Sequence, residues 1–541
     1  MSATADDATT NTGFPILRPI PRSWLVVHLI TLALIAIVLI DAGRGLWFYY
    51  DEWDFLAARA EWHLLTPHNG HLSLFPQLLT TLVKGVVGLH SYWPFLALTF
   101  AAHLAAIHMI WRIMMRLAVH PAIALLMATL FGVLAAGGDN SLWAFQVGFI
   151  TPLVTGIGAL LLAMRPLTAW RTAWVCVLLL VGVGFASTGL PLALAVVLYI
   201  WVRHGWRKTA IVGGVFAVVY GTWYLLFARG TTGADGFGIH SLKDVMLRVP
   251  EFFSHGFVDS IGKVLPFAGL AGALAVAVII GMVLDLRRAS LRTIDPTYVL
   301  VFAALTFGVM TALTRVGLGN DAASAGRYVY IYAGLLTPVV GRLLSRLAAN
   351  GRVAVGAICA VLVILIGYNA AGLVEFGRGL AAREQTVNRA ISAALTIDDG
   401  RAELDKRTPA ALVAPTLTMT DIRSFVARGQ YTPVPFTPTD LLEARVNMFL
   451  TPVHKAAAPP QGSTCETPSS GYLAFDPASQ FVYVPTAGDV GVVAKEGDGT
   501  STYTRTHIPT PGLYELTGLD SSIALSLAAG DAGGLCVVAR Q

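Results

Sequence analysis

Three carboxylates fall within four residues in the stretch Tyr49-Tyr50-Asp51-Glu52-Trp53-Asp54-Phe55-Leu56. Next to a long apolar run such a cluster is costly unless it is solvated or binds something. On a helix Asp51 and Asp54 share a face, so either could take a proton from an acceptor hydroxyl, and Glu52 is the third candidate acid. Trp53 and its aromatic neighbours suit the apolar faces of sugars. The plainer reading is a solvated loop with interfacial Trp and Tyr anchors.

Pro67-His68-Asn69-Gly70-His71 follows a short way downstream. Imidazole and carboxylate are suitable ligands, so His68 and His71 with Asp51 or Asp54 could hold a divalent metal. The alternative is that His68, Asn69 and His71 form hydrogen bonds or touch a sugar. A third cluster runs from Arg315 through Asp321 to Arg327-Tyr328. Guanidinium is a natural partner for phosphate oxygens, although an arginine near a helix end can also snorkel to lipid headgroups. Asp139, Asn140, Trp143, Gln146 and Arg229 are weaker candidates, each read first as structural.

The elements that must carry these groups are mostly apolar. Hydrophobic residues make up 55% of the chain, charged ones 13%, and the mean hydropathy is +0.65, values that place most of it in lipid. Apolar runs predict about eleven spans, at 24–41, 92–111, 121–137, 143–164, 172–186, 188–202, 210–228, 264–284, 296–314, 328–341 and 353–372. The outer stretches 42–91 and 229–263 are too long to be simple connectors, and Leu72 to Val87 reads as a helix lying in the interface. Val245, Met246, Val249, Phe252 and Phe253 give a second short amphipathic pattern.

Loops rich in Lys and Arg stay cytoplasmic. One set of alternate loops carries Arg18 and Arg22, Arg112 and Arg116, Arg165 and Arg171, Arg203, Arg207 and Lys208, then Arg287, Arg288 and Arg292, and finally Arg342, Arg346 and Arg352. The opposite set carries Asp51, Glu52, Asp54 and Glu61, then Asp139, then a loop of mixed charge at 229–263, then Asp321. This places residues 1–22 as a cytoplasmic tail, 23–372 as the transmembrane domain, and 373–541 outside. The first span then resembles an uncleaved signal anchor. The net charge of +5 belongs to the inner loops and does not indicate a nucleic-acid partner.

Beyond the last span, 374–398 has helical propensity and the text changes again from about 470. Short alternating runs at Gln480 to Val484, Val490 to Ala494, Tyr503 to His507, Tyr514 to Leu516 and Ile523 to Leu527 predict a small antiparallel β-sandwich. Cys465 and Cys536 lie in this outward region, where oxidation is permitted, and are expected to form a disulfide. Cys176 and Cys359 lie in spans and read as small buried residues.

An acidic Asp-Glu-Trp-Asp motif after the first span, a long interfacial loop behind it, many spans, a late Arg-Tyr element and an outward β-domain together resemble the GT-C glycosyltransferase superfamily. The likeness is greatest to the actinobacterial branch with arabinofuranosyl- and mannosyltransferases of the cell envelope. It covers about residues 20–372 as architecture. The resemblance implies inverting transfer from a polyprenyl-phosphate sugar to a hydroxyl of a glycan, lipid or protein at the cell membrane. It also implies that Asp51 or Asp54 is the base and that Arg327-Tyr328 holds the donor phosphate. A strong general acid is not required by that chemistry, because a polyprenyl phosphate is already a competent leaving group; one base and cations that stabilise the departing phosphate suffice, and no cofactor is expected beyond the divalent metal considered above.

Two other classes remain: a transporter or flippase for a lipid-linked glycan, and a non-catalytic envelope-assembly protein. Coupled transporters carry ionisable groups near the bilayer midplane, whereas the spans here are nearly bare apart from His103 and His108. No Ser-His-Asp arrangement or glycine-rich phosphate loop stands out.

Overall fold

A computed structural model describes residues 20–57, 64–229, 238–239, 241–264, 271–286, 295–410, 413–454, 459–460, 463–466, 473–495, 501–508, 510–517, 524–529 and 535–539. Arg18, Glu61, Arg287, Arg288, Arg292 and Ile523 lie outside these.

The helices in chain order are α1 Arg22–Ala42, α2 Glu52–Leu56, α3 Leu74–Val87, α4 Trp93–Arg116, α5 Pro121–Gly132, α6 Gly138–Leu142, α7 Val147–Ala163, α8 Ala169–Phe185 and α9 Gly189–His204. They continue with α10 Trp206–Trp223, α11 Val249–Gly262, α12 Ala271–Leu286, α13 Pro296–Arg315, α14 Gly326–Ala348, α15 Arg352–Ile397, α16 Met419–Ala427 and α17 Pro438–Phe449. The chain divides into two compact units. The membrane unit comprises Met1–Arg44, Glu61–Leu79 and Phe95–Arg378, and the second unit comprises Gly45–Ala60, Thr80–Pro94 and Gly379–Gln541.

This is a multi-pass membrane protein with fewer full-length spans than the sequence predicts. Every one of the eleven apolar runs contains a helix, but among the described residues seven helices are long and apolar enough to cross a bilayer. The number rises to eight if the bent pair Pro121–Gly132 and Ala135–Leu142 is one span. Three of the runs hold shorter helices: α8 and α9, which end at Ala186 and Gly205 after 17 and 16 residues, and α12, of which 16 residues are described. At about 1.5 Å per residue these fall short of a hydrocarbon core about 30 Å thick.

Within the membrane unit, α7 packs on α8 and α9, α13 on α9 and α14, and α14 on α5. Close approach needs small residues at the contacts, as lipid offers helices no hydrophobic drive to associate. Gly156 shows this: a Cβ there would stand 2.7 Å from Leu192. Faces left exposed are apolar, including Ile30, Leu34 and Ile37 on α1 and Val363 and Ile364 on α15, as lipid contact requires.

The 49° bend between α5 and α6 frees backbone groups that lipid cannot satisfy. Two buried side chains take them up. His103 Nε2 lies 3.0 Å from the Gly132 carbonyl and Asn369 Oδ1 accepts from the Ala135 N–H at 3.3 Å. Since a carbonyl only accepts, His103 carries its proton on Nε2, and Nδ1 accepts from the Tyr330 hydroxyl at 2.8 Å. His103, conspicuous in the sequence as an ionisable group in a span, is therefore a bracket for a broken helix.

Among the described residues the second unit holds nine strands: β1 Leu450–His454, β2 Thr464–Glu466, β3 Leu473–Phe475, β4 Gln480–Val484, β5 Gly488–Lys495, β6 Ser501–Ile508, β7 Gly512–Leu516, β8 Ala524–Ala529 and β9 Leu535–Ala539. They form two antiparallel sheets, ordered β1-β7-β4-β9-β2 and β3-β8-β5-β6. Strict alternation of exposed and buried residues along β6 marks one face turned inward, where Thr506 donates to Asn447 of α17. Both α16 and α17 begin with capping boxes, Thr418 with Asp421 and Thr437 with Asp440.

Cys465 and Cys536 are directly opposed on β2 and β9 and are bonded. The bond closes a separation of 71 residues, which by loop-closure entropy stabilises the sandwich by about 4 kcal/mol. Thermal unfolding of Cys465→Ser, or of the reduced protein, should show a sandwich transition lowered by roughly 10 °C or more, and an unchanged transition would mean that the bond contributes little.

Candidate functional site

The acidic segment belongs to the second unit. After α1 the chain turns sharply at Tyr50, which has φ +48° although it is not glycine. Such a conformation costs about 1 kcal/mol or more and needs support from its surroundings. That support is a series of backbone donors, each with its own acceptor. The Trp47 N–H donates to Glu384 Oε2 at 2.6 Å, the Tyr49 N–H to Glu52 Oε2 at 2.8 Å, and the Tyr50 N–H to the Val413 carbonyl at 3.0 Å.

The one-turn helix α2 then sorts the acids. Glu52 is turned inward and only 5% exposed, with Oε1 accepting from the Tyr92 hydroxyl at 2.7 Å. Asp51, at the N-cap, and Asp54, one turn on, remain half-buried. Glu52, the third candidate acid, thus has both oxygens engaged in holding the turn. Trp53, expected to meet a sugar, is fully buried against Trp47, Phe48 and Phe425. Its large apolar ring is worth more in the core than on a rim, and the exposed aromatic of this stretch is Tyr50.

Glu384, on α15 beyond the apolar run 353–372, is a residue that the sequence does not single out. It is completely buried, and burial together with the nearby Glu52 charge pushes its carboxyl well above the ordinary range, opposed by the Trp47 N–H. The folded chain therefore keeps this proton at pH values where the unfolded chain has released it near 4.5. Its contribution is most favourable at low pH and falls as pH rises above that value. Glu384→Gln keeps an acceptor without the titration, so its melting temperature should gain on the wild type as pH increases from about 5 to about 8. A difference that stays flat with pH would show that Glu384 is ionised in the fold.

The remaining candidates sit in the membrane unit. His68 and His71 close a tight antiparallel turn, with N–H to O distances of 3.0 and 2.8 Å in the two directions. Asn69 and Gly70 between them both have positive φ, +49° and +79°, the geometry for which Asn-Gly is favoured. Asn69 Nδ2 donates to His68 Nε2 at 3.1 Å. The rings of His68 and His71 stand edge-on to Phe145 and Phe149, and Phe145 stacks on Trp143. The two imidazoles are the nitrogen ligands that this turn could offer a metal.

Arg315, at the end of α13, reaches the tip of that turn: its Nη2 donates to the Asn69 carbonyl at 3.3 Å. The structure thus joins two clusters far apart in sequence. Arg327 opens α14 and stands 5.2 Å from the ring centre of Tyr328, which is itself buried on Phe307. Asp139 of α6 comes to the same helix start, so close that a Cβ on Gly326 would lie 2.6 Å from its Oδ2. A carboxylate there complements the helix N-terminus. Asn140 and Gln146 are buried, and Arg229 ends the turn after α10. Gly326→Ala should force Asp139 away and lower stability by about 1–3 kcal/mol in thermal unfolding; an unaffected protein would show that the carboxylate moves freely.

No known protein family and no curated protein matches the chain. Among solved structures it is similar to ArnT from Cupriavidus metallidurans bound to undecaprenyl phosphate, with a TM-score of 0.45, 15% identity, and coverage of 81% of this chain and 97% of that one. It is also similar to the apo state of that ArnT, at a TM-score of 0.42 and 18% identity, covering 70% of this chain and 79% of that one. Likeness at this level does not decide a reaction.

Proposed function

We propose that this chain is a membrane glycosyltransferase that moves a sugar from a polyprenyl-phosphate donor to a hydroxyl of an extracytoplasmic glycan, lipid or protein. The N-terminus is cytoplasmic, and the acidic segment, the His68–His71 turn and the second unit face outward. The observation that carries the reading is the sorting of the acids on α2: Glu52 is consumed in holding the turn, while Asp51 and Asp54 remain half-buried on the other side. A carboxylate with that exposure is suited to accept a proton from an attacking hydroxyl.

Arg315 and Arg327 stabilise the departing lipid phosphate, with Tyr328 fixing Arg327, while His68, Asn69 and His71 orient the sugar. The step is a displacement at the anomeric carbon. The acceptor oxygen forms the new glycosidic bond, its proton passes to Asp51 or Asp54, and the polyprenyl phosphate leaves with the bonding pair. Trp53 serves the core beneath this segment.

The test is transfer by the purified full-length protein from a panel of polyprenyl-phosphate sugars. Asp51→Asn and Asp54→Asn separate the two acids, and the one acting as base should cost about 100-fold or more in kcat. Arg315→Ala should mainly weaken donor use. A chelator arm tests the divalent-cation alternative. Transfer that survives the double Asp51→Asn/Asp54→Asn substitution would contradict the reading.

A further inference from the structure

We propose that Glu384 on α15 and Tyr92 ahead of α4 are positioning residues that set the orientation of Asp51 and Asp54 from outside their segment. This rests on the proposed role of those two acids. A helix of five residues is far below the length that holds itself in water, where about 12–15 residues are marginal. α2 persists because other parts of the second unit hold it at both ends.

At the entry, three contacts fix Trp47, Tyr49 and Tyr50, and two of them come from far along the chain: the 2.6 Å bond to Glu384, 337 residues away in sequence, and the bond to the Val413 carbonyl. At the exit, Lys84 Nζ donates to the Leu56 carbonyl at 2.6 Å, closing the last turn of α2. Tyr92 acts at one remove by keeping Glu52 turned inward. Rotation of Glu52 outward would carry Asp51 and Asp54 with it, because all three share one turn.

The chemistry of Glu384 fits this task. Among the described residues its Oε1 makes no hydrogen bond, and Oε2 of this completely buried acid accepts from the Trp47 N–H. Retention of its proton spares the fold a second buried negative charge beside Glu52. Neither Glu384 nor Tyr92 is solvent-exposed, which suits support and not contact with substrate.

Hydrogen exchange of the full-length protein reads the support directly. In Glu384→Ala the peptide covering residues 46–57 should exchange about tenfold faster, and in Tyr92→Phe several-fold faster, while Glu384→Gln retains protection. Peptides from the β-sandwich should not change in any variant. In the transfer assay, Glu384→Ala should lower kcat about tenfold with donor KM unchanged, and Glu384→Gln should restore it. Unchanged exchange of 46–57 in both Glu384→Ala and Tyr92→Phe overturns the proposal, as does equal loosening of the sandwich. If Glu384→Ala does not fold, Tyr92→Phe and Glu384→Gln decide by the same peptide. Faster exchange in a protein whose wild type transfers no sugar would leave the positioning role standing and remove the glycosyltransferase reading.

Discussion

The burial of the Glu52 carboxylate is the constraint on which the candidate chemistry depends. An ionised group at 5% exposure is tolerable only when its oxygens are satisfied, and here an N–H from Tyr49 and an O–H from Tyr92 do so. Once Glu52 is fixed inward, the geometry of one helical turn leaves Asp51 and Asp54 on the other side. The left-handed Tyr50 is the local cost, offset by contacts from residues hundreds of positions away.

The same rule of satisfied polar groups shapes the membrane unit. Where α5 breaks before α6, His103 and Asn369 complete the backbone bonds that a straight helix would have made. Where the chain returns from the second unit, Asn69-Gly70 allows a two-residue reversal, and the exposed carbonyl of Asn69 is taken by Arg315. At these positions polar side chains complete backbone hydrogen bonds.

Much of the framework is legible in the sequence because burial in lipid leaves a strong signal. Each apolar run contains a helix, Leu72 to Val87 contains α3, and Gln480 to Val484 is β4 to the residue. What hydropathy does not resolve is whether a short apolar run is a full span: α8 and α9 occupy the runs 172–186 and 188–202, yet with 17 and 16 residues they fall short of the hydrocarbon thickness. β1, β2, β3 and β9 escape notice because their residues, LTPVH, TCE, LAF and LCVVA, carry little alternation of apolar and polar types. The candidate site divides similarly. Clustering reveals Asp51, Glu52 and Asp54, but one turn of helix is too short to show which acid is buried, and Trp53 looks like a rim although it is core. Asn69-Gly70 carries a recognisable hairpin signal. Glu384 carries none, since a single glutamate in a mixed-charge helix is ordinary until the fold brings Trp47 to it.

Sugar transfer as proposed needs the acids on α2 and the arginines flanking residues 316–325 to be reached from the same side of the membrane. Labelling with an impermeant maleimide tests this most directly, using Tyr50→Cys, Asn320→Cys and Trp206→Cys in a background where Cys176 and Cys359 are serine. Positions 50 and 320 should react from the outer face of intact cells, and position 206 only after the inner face is opened. Reaction of 50 and 320 from opposite faces would contradict that proposal.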